Sequence, residues 1–376
     1  MFINGIGRTK FGNLDKSLPQ LAYEAMSNAI LDSSICITDI DAIYVSNFLG
    51  GPLNGQLHLN SLISSLIPGI NIPIFRVETA CASGSVALNQ AIQMGKKLSN
   101  IMIVGVEKMN GNTLMPVTDA ISMAGDREND CKNGLTFPAT YALIAQQYMN
   151  KYKISHDVLE QVSYINHKNS RLNPLAHFYY KEVSLELIKK SQMIAEPLNL
   201  FDCSPVSDGA SAVVISNNKY SDRDIRILSS QVSTDSISIT ERNDLTTFGA
   251  TVKAANNALK EGNITRKDID LLEVHDCFTI SELIALEDLK ICGKGQAFEL
   301  IENGDICING SIPVNTDGGL KANGHPIGAT GLAQIFEIVT QLRLEAGRRQ
   351  IECPEIGLAQ NIGGIGGTCG ITLLGV

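Results

Sequence analysis

The stretch Glu78-Thr-Ala-Cys-Ala-Ser-Gly-Ser-Val-Ala-Leu88 places Cys81 where an extended apolar run gives way to a helix of small residues, so its sulfur is expected at a helix N-terminus. A free thiol with a pKa of about 8.5 is only a few per cent thiolate at neutral pH, and bringing it to about 7 takes roughly 2 kcal/mol. Helix-terminal N–H groups and the macrodipole supply about 0.3–1 kcal/mol, or up to ~2 in a partly buried site. A nucleophilic Cys81 therefore calls for a histidine base as well.

His325, in Asn323-Gly-His-Pro-Ile-Gly328, is the first candidate, with Pro326 expected as the first residue of a helix and His325 as its cap. Alone, such a pair reads as a plain cap. A third segment, Glu273-Val-His-Asp-Cys-Phe-Thr279, packs His275 and Cys277 into three residues at the end of an expected strand, where α/β folds gather ligand-binding groups. Zinc is the competing reading, but it takes three or four ligands at defined spacing and no C-x-x-C or H-x-x-x-H accompanies the pair, so no metal is expected. A buried thiol with a hydrogen-bonded imidazole is the structural alternative. The last segment, Asn361-Ile-Gly-Gly-Ile-Gly-Gly367, lets backbone N–H groups approach a ligand but matches neither a P-loop nor a dinucleotide fingerprint.

An internal repeat must position these groups. A helix-like stretch over Leu21–Leu31 leads to a strand-like Ile37–Val45, and Thr251–Leu259 leads in the same way to Ile264–Val274. The Cys81 helix and the apolar strand Ile101–Val106 follow the first copy; the His325 segment and the strand Ile356–Gln360 follow the second. Each copy closes on a β-rich segment, Ser211–Ser216 or Gly370–Gly375. This order makes His325 the repeat-equivalent of Cys81, and a pseudo-twofold axis would bring the two helix starts together as nucleophile and base. Strands apolar throughout and alternating with helices indicate a duplicated α/β unit with covered sheets. The division expected is 1–217 and 218–376, with an insertion at about 111–200 that shapes a substrate pocket.

Composition limits the partners. The chain has 376 residues, 44% hydrophobic, with only 18% charged and a net charge of −9, which disfavours nucleic acid. Nine cysteines without a C-x-x-C pair read as reduced thiols. No leader pattern and no apolar run of membrane-spanning length occurs, so a cytoplasmic protein is expected. Any anionic substrate must meet a local basic cluster, for which Lys168, Arg171 and Lys321 are candidates by location alone.

Taken together, Cys81-Ala-Ser-Gly84, Gly324-His-Pro326 and the final glycine loop resemble the nucleophile, base and oxyanion segments of the thiolase superfamily over nearly the whole chain. His275-Asp-Cys-Phe278 stands where most thiolases have Asn-Glu-Ala-Phe and is similar to the sterol-carrier-protein type, with no separate sterol-carrier domain expected after the last strand. The resemblance implies two βαβαβαββ halves in a layered α-β-α-β-α sandwich. Asn361 occupies the position of the usual second catalytic cysteine, and the resemblance implies that Cys277 replaces it. Cys369 is read as core, and Cys36, Cys131, Cys203, Cys292, Cys307 and Cys353 as packing residues or bystanders.

The resemblance further implies ping-pong acyl transfer on coenzyme A thioesters, with no resident cofactor. Cys81 takes the acyl group after His325 accepts its proton, and Cys277 abstracts an α-proton from acetyl-CoA. The N–H groups of Cys81 and Gly363 form one oxyanion hole, and His325 with His275 the other. A homodimer or homotetramer is implied. The alternatives are a carbon acyltransferase of this fold that uses a non-CoA acceptor or hands product to a partner enzyme, and a non-catalytic acyl-CoA or lipid binder.

Overall fold

In a computed structural model, which describes residues 1–111 and 113–376, the repeat is visible as one topology used twice. The first half runs β1 (Phe2–Arg8), α1 (Leu18–Asp32), β2 (Ala42–Ser46), short α2 (Gly50–Asn54) and α3 (Leu59–Ser64), β3 (Ile74–Val77), α4 (Ser83–Met94) and β4 (Asn100–Glu107). An excursion follows through α5 (Val117–Ser122), α6 (Phe137–Tyr152), α7 (His156–Ser170), α8 (Leu185–Lys189) and a small hairpin, β5 (Met193–Ala195) and β6 (Leu198–Asn199), before β7 (Gly209–Ser216). The second half runs β8 (Ile225–Thr234), α9 (Gly249–Gly262), β9 (Leu271–Glu273), α10 (Thr279–Asp288), α11 (Ala297–Glu302), α12 (Gly319–Asn323), α13 (Thr330–Leu342), β10 (Ile356–Gly363) and β11 (Thr368–Gly375).

The strands lie in the order β3-β2-β4-β7-β1-β8-β11-β10-β9. Position by position, β8, β11, β10 and β9 repeat β1, β7, β4 and β2, and the single parallel bridge from Leu272 to Val314 stands where β3 would be. In the sheet the halves are joined where β1 pairs with β8, Phe2 with Arg226 and Ile3 with Ile225, running antiparallel as a twofold requires. Helices α4 and α13 each touch strands of both halves, whereas α1 covers β1 and β7 from outside and α9 covers β8 and β11. That is the layered arrangement of five: helix, sheet, paired helices, sheet, helix.

The central helices pack closely because small residues sit at their crossing. A side-chain carbon on Gly84 would lie 3.0 Å from Leu332 N and 3.1 Å from Gly331 Cα. Ala87, Leu88 and Ala91 of α4 and Leu332, Ile335 and Ile338 of α13 then fill a core with Ile3, Ile101 and Val213. The excursion crosses to the other half: Tyr141, Ile144 and Tyr148 of α6 and Val158, Leu159 and Val162 of α7 share a core with Val274, Ile280 and Leu283. α7 is started by Ser155, whose hydroxyl accepts from Asp157 N at 3.2 Å.

Candidate active site

Cys81 lies in a tight turn between β3 and α4. Ala80 before it has φ +51°, a left-handed conformation that costs a non-glycine residue about 1–2 kcal/mol. Ser83 secures the turn, its hydroxyl accepting from Thr79 N at 2.9 Å and donating to Ala80 O at 2.6 Å. Cys81 sits two residues before the first residue of α4, yet the expected lowering of its pKa is outweighed. Burial, reinforced by Cys277, pushes the thiol up, and the opposing N–H of Gly364 compensates only in part.

His325 does not cap a helix directly. Pro326 precedes a 3₁₀ turn, Ile327–Ala329, and α13 begins only at Thr330. Aligning the helix starts, with Gly84 against Gly331, makes Gly328 the repeat partner of Cys81, so the expected equivalence was displaced by that extra turn. The imidazole still reaches the site. Its Nδ1 is 2.7 Å from the Thr330 hydroxyl, which donates its one proton to Pro326 O at 3.1 Å. Nδ1 therefore carries the hydrogen, and Nε2 offers a lone pair. Burial holds His325 down at about 3, so the ring is neutral at physiological pH.

His275 is oriented the opposite way. Asn361 Nδ2 donates to its Nδ1 at 3.0 Å, leaving Nε2 to carry the hydrogen, and Nε2 is buried without a partner. Burial and the neighbouring His325 keep the ring well below the ordinary imidazole pKa. The two rings meet edge to face with centroids 5.1 Å apart, and one side-chain donor atom each of Cys81, His275 and His325 lies within 4.8 Å of the other two. One imidazole thus presents a base and the other an N–H.

Cys277 faces the same cavity as Cys81, a space of about 190 Å³ that His325, Gly364, Met109 and Phe278 also line. Its backbone carbonyl accepts from Ser204 N at 2.9 Å, and its sulfur lies 3.8 Å from the Ser281 hydroxyl. Burial pushes this thiol up to about 12, against the hydroxyls of Tyr141 and Ser281, which pull it down. Asp276, between His275 and Cys277, points away and accepts from Leu320 N at 2.7 Å and Lys321 N at 3.1 Å, tying the segment to α12.

Gly363 ends β10 behind the nucleophile turn, where a side chain would strike Thr79 O at 2.5 Å, and its neighbour Gly364, with φ +62°, lines the cavity. Expectations for the charged residues and one bystander thiol need correction. Lys321 is no entrance residue: it is 1% exposed, 3.4 Å from His167 Nε2 and over the Phe201 ring, with burial lowering it to about 8. Lys168 is exposed and Arg171 pairs with Glu182 at 3.1 Å, and neither lines the cavity. Cys203, expected as a bystander, lines it. Cys369 is buried in β11 as expected, and all nine cysteines are unpaired. Sequence reasoning also missed Thr330, Tyr141 and Ser281, whose roles arise only from contacts with distant segments.

Two family descriptions cover these halves: "Thiolase, N-terminal domain" matches residues 1–219 and "Thiolase C-terminal domain-like" matches residues 231–376. The chain belongs to the thiolase family. It is 44% identical over 374 residues to the acetyl-CoA acetyltransferase of Methanothermobacter thermautotrophicus, covering 98% of this chain and 97% of that protein. It is 32% identical to human sterol carrier protein 2, spanning 99% of this chain and 71% of the relative. Among solved structures, the fold is shared with the Ltp2-ChsH2(DUF35) aldolase (TM-score 0.85, 23% identity, 100% and 97% coverage). It is shared also with human mitochondrial 3-ketoacyl-CoA thiolase (TM-score 0.74, 18% identity, 100% and 98% coverage).

Proposed function

We propose that the protein is a thiolase-type acyl-CoA C-acyltransferase that condenses two acetyl-CoA molecules, or cleaves a 3-ketoacyl-CoA with CoA, through an acyl group on Cys81. The observation that carries this reading is the convergence of two thiols and a lone-pair imidazole on one cavity, with an unpaired imidazole N–H beside them. A binding protein has no use for that arrangement.

In the first half-reaction the Cys81 proton passes to His325 Nε2 as sulfur attacks the thioester carbonyl, and the N–H groups of Cys81 and of the Gly363–Gly364 pair receive the oxyanion. The CoA thiolate leaves with the proton of Cys277. In the second, the Cys277 thiolate takes an α-proton from acetyl-CoA, and the enolate oxygen meets His275 Nε2–H together with the protonated His325. The carbanion attacks acyl-Cys81, and the released Cys81 thiolate recovers its proton from His325. Both thiols end protonated, and the cycle needs no resident cofactor.

The same reading divides the chain at 1–217 and 218–376 and places it in the cytoplasm as a homodimer or homotetramer; among the described residues no helix is long and apolar enough to cross a membrane. Incubation with labelled acetyl-CoA tests the chemistry. Wild type and Cys277→Ala are expected to label Cys81, Cys81→Ala to remain unlabelled, and wild type to cleave acetoacetyl-CoA when CoA is added. Equal labelling of Cys81→Ala would refute the nucleophile assignment, and binding without labelling of wild type would refute the acyltransferase reading.

A further inference from the structure

The sequence offers zinc no pair of ligands at the usual spacing, but the fold collects three ligands from three separate segments. Cys81 from the turn before α4, His275 from just past β9 and His325 from the segment before α13 bring one ligand atom each within 4.8 Å of the other two, and all three side chains are buried. Among the described residues no other three cysteine, histidine or carboxylate side chains converge in this way.

The rings stand as a tetrahedral ion requires. Their Nδ1 atoms are engaged, by Thr330 at 2.7 Å and by Asn361 at 3.0 Å, so the nitrogens free to take a metal are the two Nε2 atoms. With Zn–N bonds of about 2.0–2.1 Å an ion lies roughly 3.2 Å from each ring centre, and centres 5.1 Å apart then subtend about 106°, close to the tetrahedral angle. Ligand atoms around zinc stand about 3.3–3.6 Å from one another, so the three atoms need close by no more than about 1.5 Å, the scale of a side-chain rotation.

A second observation points to a ligand. His275 Nε2 is buried without a partner, and so is Asn361 Oδ1. Turning the Asn361 amide over presents Oδ1 to His275 Nδ1; the ring proton then sits on Nδ1 and donates to that oxygen, and Nε2 gains a lone pair. With a metal on Nε2, this arrangement leaves only the amide Nδ2 unpaired, where the resting one leaves two atoms. His325 needs no change, because its Nδ1–H already donates to Thr330. Both rings then have the hydrogen-bonded second nitrogen that metal-bound histidines ordinarily have.

We propose that Cys81, His275 and His325 form a binding site for a zinc ion, which holds the protein in a reversible, non-acylated form. On binding, the Cys81 S–H bond breaks, the sulfur bonds to zinc and one proton goes to solvent; the His275 proton moves from Nε2 to Nδ1 and stays on the ring. The fourth position faces the cavity and takes water. A thiolate with two imidazoles selects zinc over magnesium or calcium, which prefer oxygen. The site stands on the geometry alone; its effect on acylation rests on the thiolase reading above.

Cobalt(II) titrated into the reduced full-length protein reports on the site through sulfur-to-cobalt charge-transfer absorption. One equivalent is expected to bind, to release one proton and to be displaced by one equivalent of zinc. Cys81→Ser should lose the charge-transfer band, and His275→Asn should weaken binding at least 10-fold. Asn361→Asp, whose carboxylate accepts from Nδ1–H without turning over, should bind about 10- to 100-fold more tightly, the size of the contribution that such outer partners make. A retained band in Cys81→Ser, or wild-type affinity in His275→Asn, puts the metal on other thiols and overturns the site. Asn361→Asp removes no ligand, so it decides the matter even where a truncated variant fails to fold: affinity no greater than wild type overturns the proposal. Zinc should also block labelling of Cys81 by acetyl-CoA and a chelator restore it; labelling that proceeds with zinc bound overturns the inhibitory role. A metal-free protein that never becomes labelled removes the thiolase reading instead and leaves the metal site standing.

Discussion

Replacing His275 by alanine separates a catalytic donor from a structural one, because the two roles leave opposite marks. In the resting protein its Nε2–H is buried and unpaired, while Nδ1 is held by Asn361 at 3.0 Å. Truncating a buried aromatic ring ordinarily costs about 3–5 kcal/mol of stability. An unpaired buried donor is itself a burden of about 1–3 kcal/mol. Deleting the ring removes that burden but leaves Asn361 Nδ2 unpaired in its place, so the two offset and the cost is expected to stay at about 3–5 kcal/mol. The chemistry should suffer separately from the fold. A donor aimed at a developing oxyanion is worth about 2.7–4 kcal/mol, or 10²–10³ in rate. The assay is loss of the acetyl-CoA methyl proton signal in deuterium oxide, measured beside acyl-enzyme formation and urea unfolding. His275→Ala should still acylate Cys81 but exchange about 10²–10³-fold more slowly. Exchange at the wild-type rate in a folded variant would refute the assignment of this N–H to the enolate.

Three further outcomes follow from the geometry. Thr330→Val preserves the shape of the side chain but frees His325 Nδ1; acylation of Cys81 should slow roughly 10- to 100-fold, part of the 10²–10⁴ that general-base catalysis contributes, with nitrogen-15 imidazole shifts reporting a mixed tautomer. Gly84→Ala introduces a carbon 3.0 Å from Leu332 N and 3.1 Å from Gly331 Cα, so it should cost about 1–3 kcal/mol in chemical unfolding and slow acylation by parting the helix starts that carry the reactive residues. Glu282 is raised to about 8 by burial with Asp276 adding to it, so its proton stabilises the fold fully below an unfolded pKa of about 4.3, and that stabilisation is lost as pH climbs through 8. Glu282→Gln keeps an acceptor for Asn166 and Asn315, at 2.8 and 2.9 Å in the wild type, and its stability advantage should widen by up to about 1.4 kcal/mol per unit between pH ~4.5 and ~8; a constant gap would show that the carboxyl is not held protonated.

The convergent side chains were legible in the sequence because each sits in a short segment whose neighbours are constrained: Cys81 among small residues at a strand-to-helix turn, His325 between glycines and a proline, His275 and Cys277 at the end of a strand. The repeat was legible because helix and strand periodicities recur in the same order. What the sequence hid depends on pairing across the twofold. The 3₁₀ turn before α13 looks, in sequence, like the first turn of a helix, and only the contact of Gly84 with Gly331 fixes the register. Lys321 stands in an otherwise ordinary Gly-Leu-Lys-Ala-Asn helix, and its burial is decided by Asp276, which binds its backbone N–H, and by Phe201 and His167, which meet its ammonium group. Asn361 was recognised as a departure, but its function as the group that sets the His275 tautomer needs β10 and the end of β9 side by side.

The electrostatics of the pair changes how its reactivity must be understood. A sequence argument starts from a thiol made acidic by a helix terminus, as in enzymes whose resting cysteine is already an ion pair with histidine. Here burial acts on both partners in the same sense, raising Cys81 and lowering His325 to about 3, so charge separation is disfavoured before substrate arrives. On the proposed reaction the proton crosses to Nε2 as the sulfur–carbon bond forms, and the imidazolium produced is stabilised by the oxyanion created in the same step. Thr330 and Asn361 fix one ring as a base and the other as a donor beforehand, so neither has to reorganise when that charge appears. The strained turn at Ala80, the glycine contact between α4 and α13 and the unpaired His275 N–H are costs carried by the resting fold, and all three lie where the proposed reaction turns a thioester into charge.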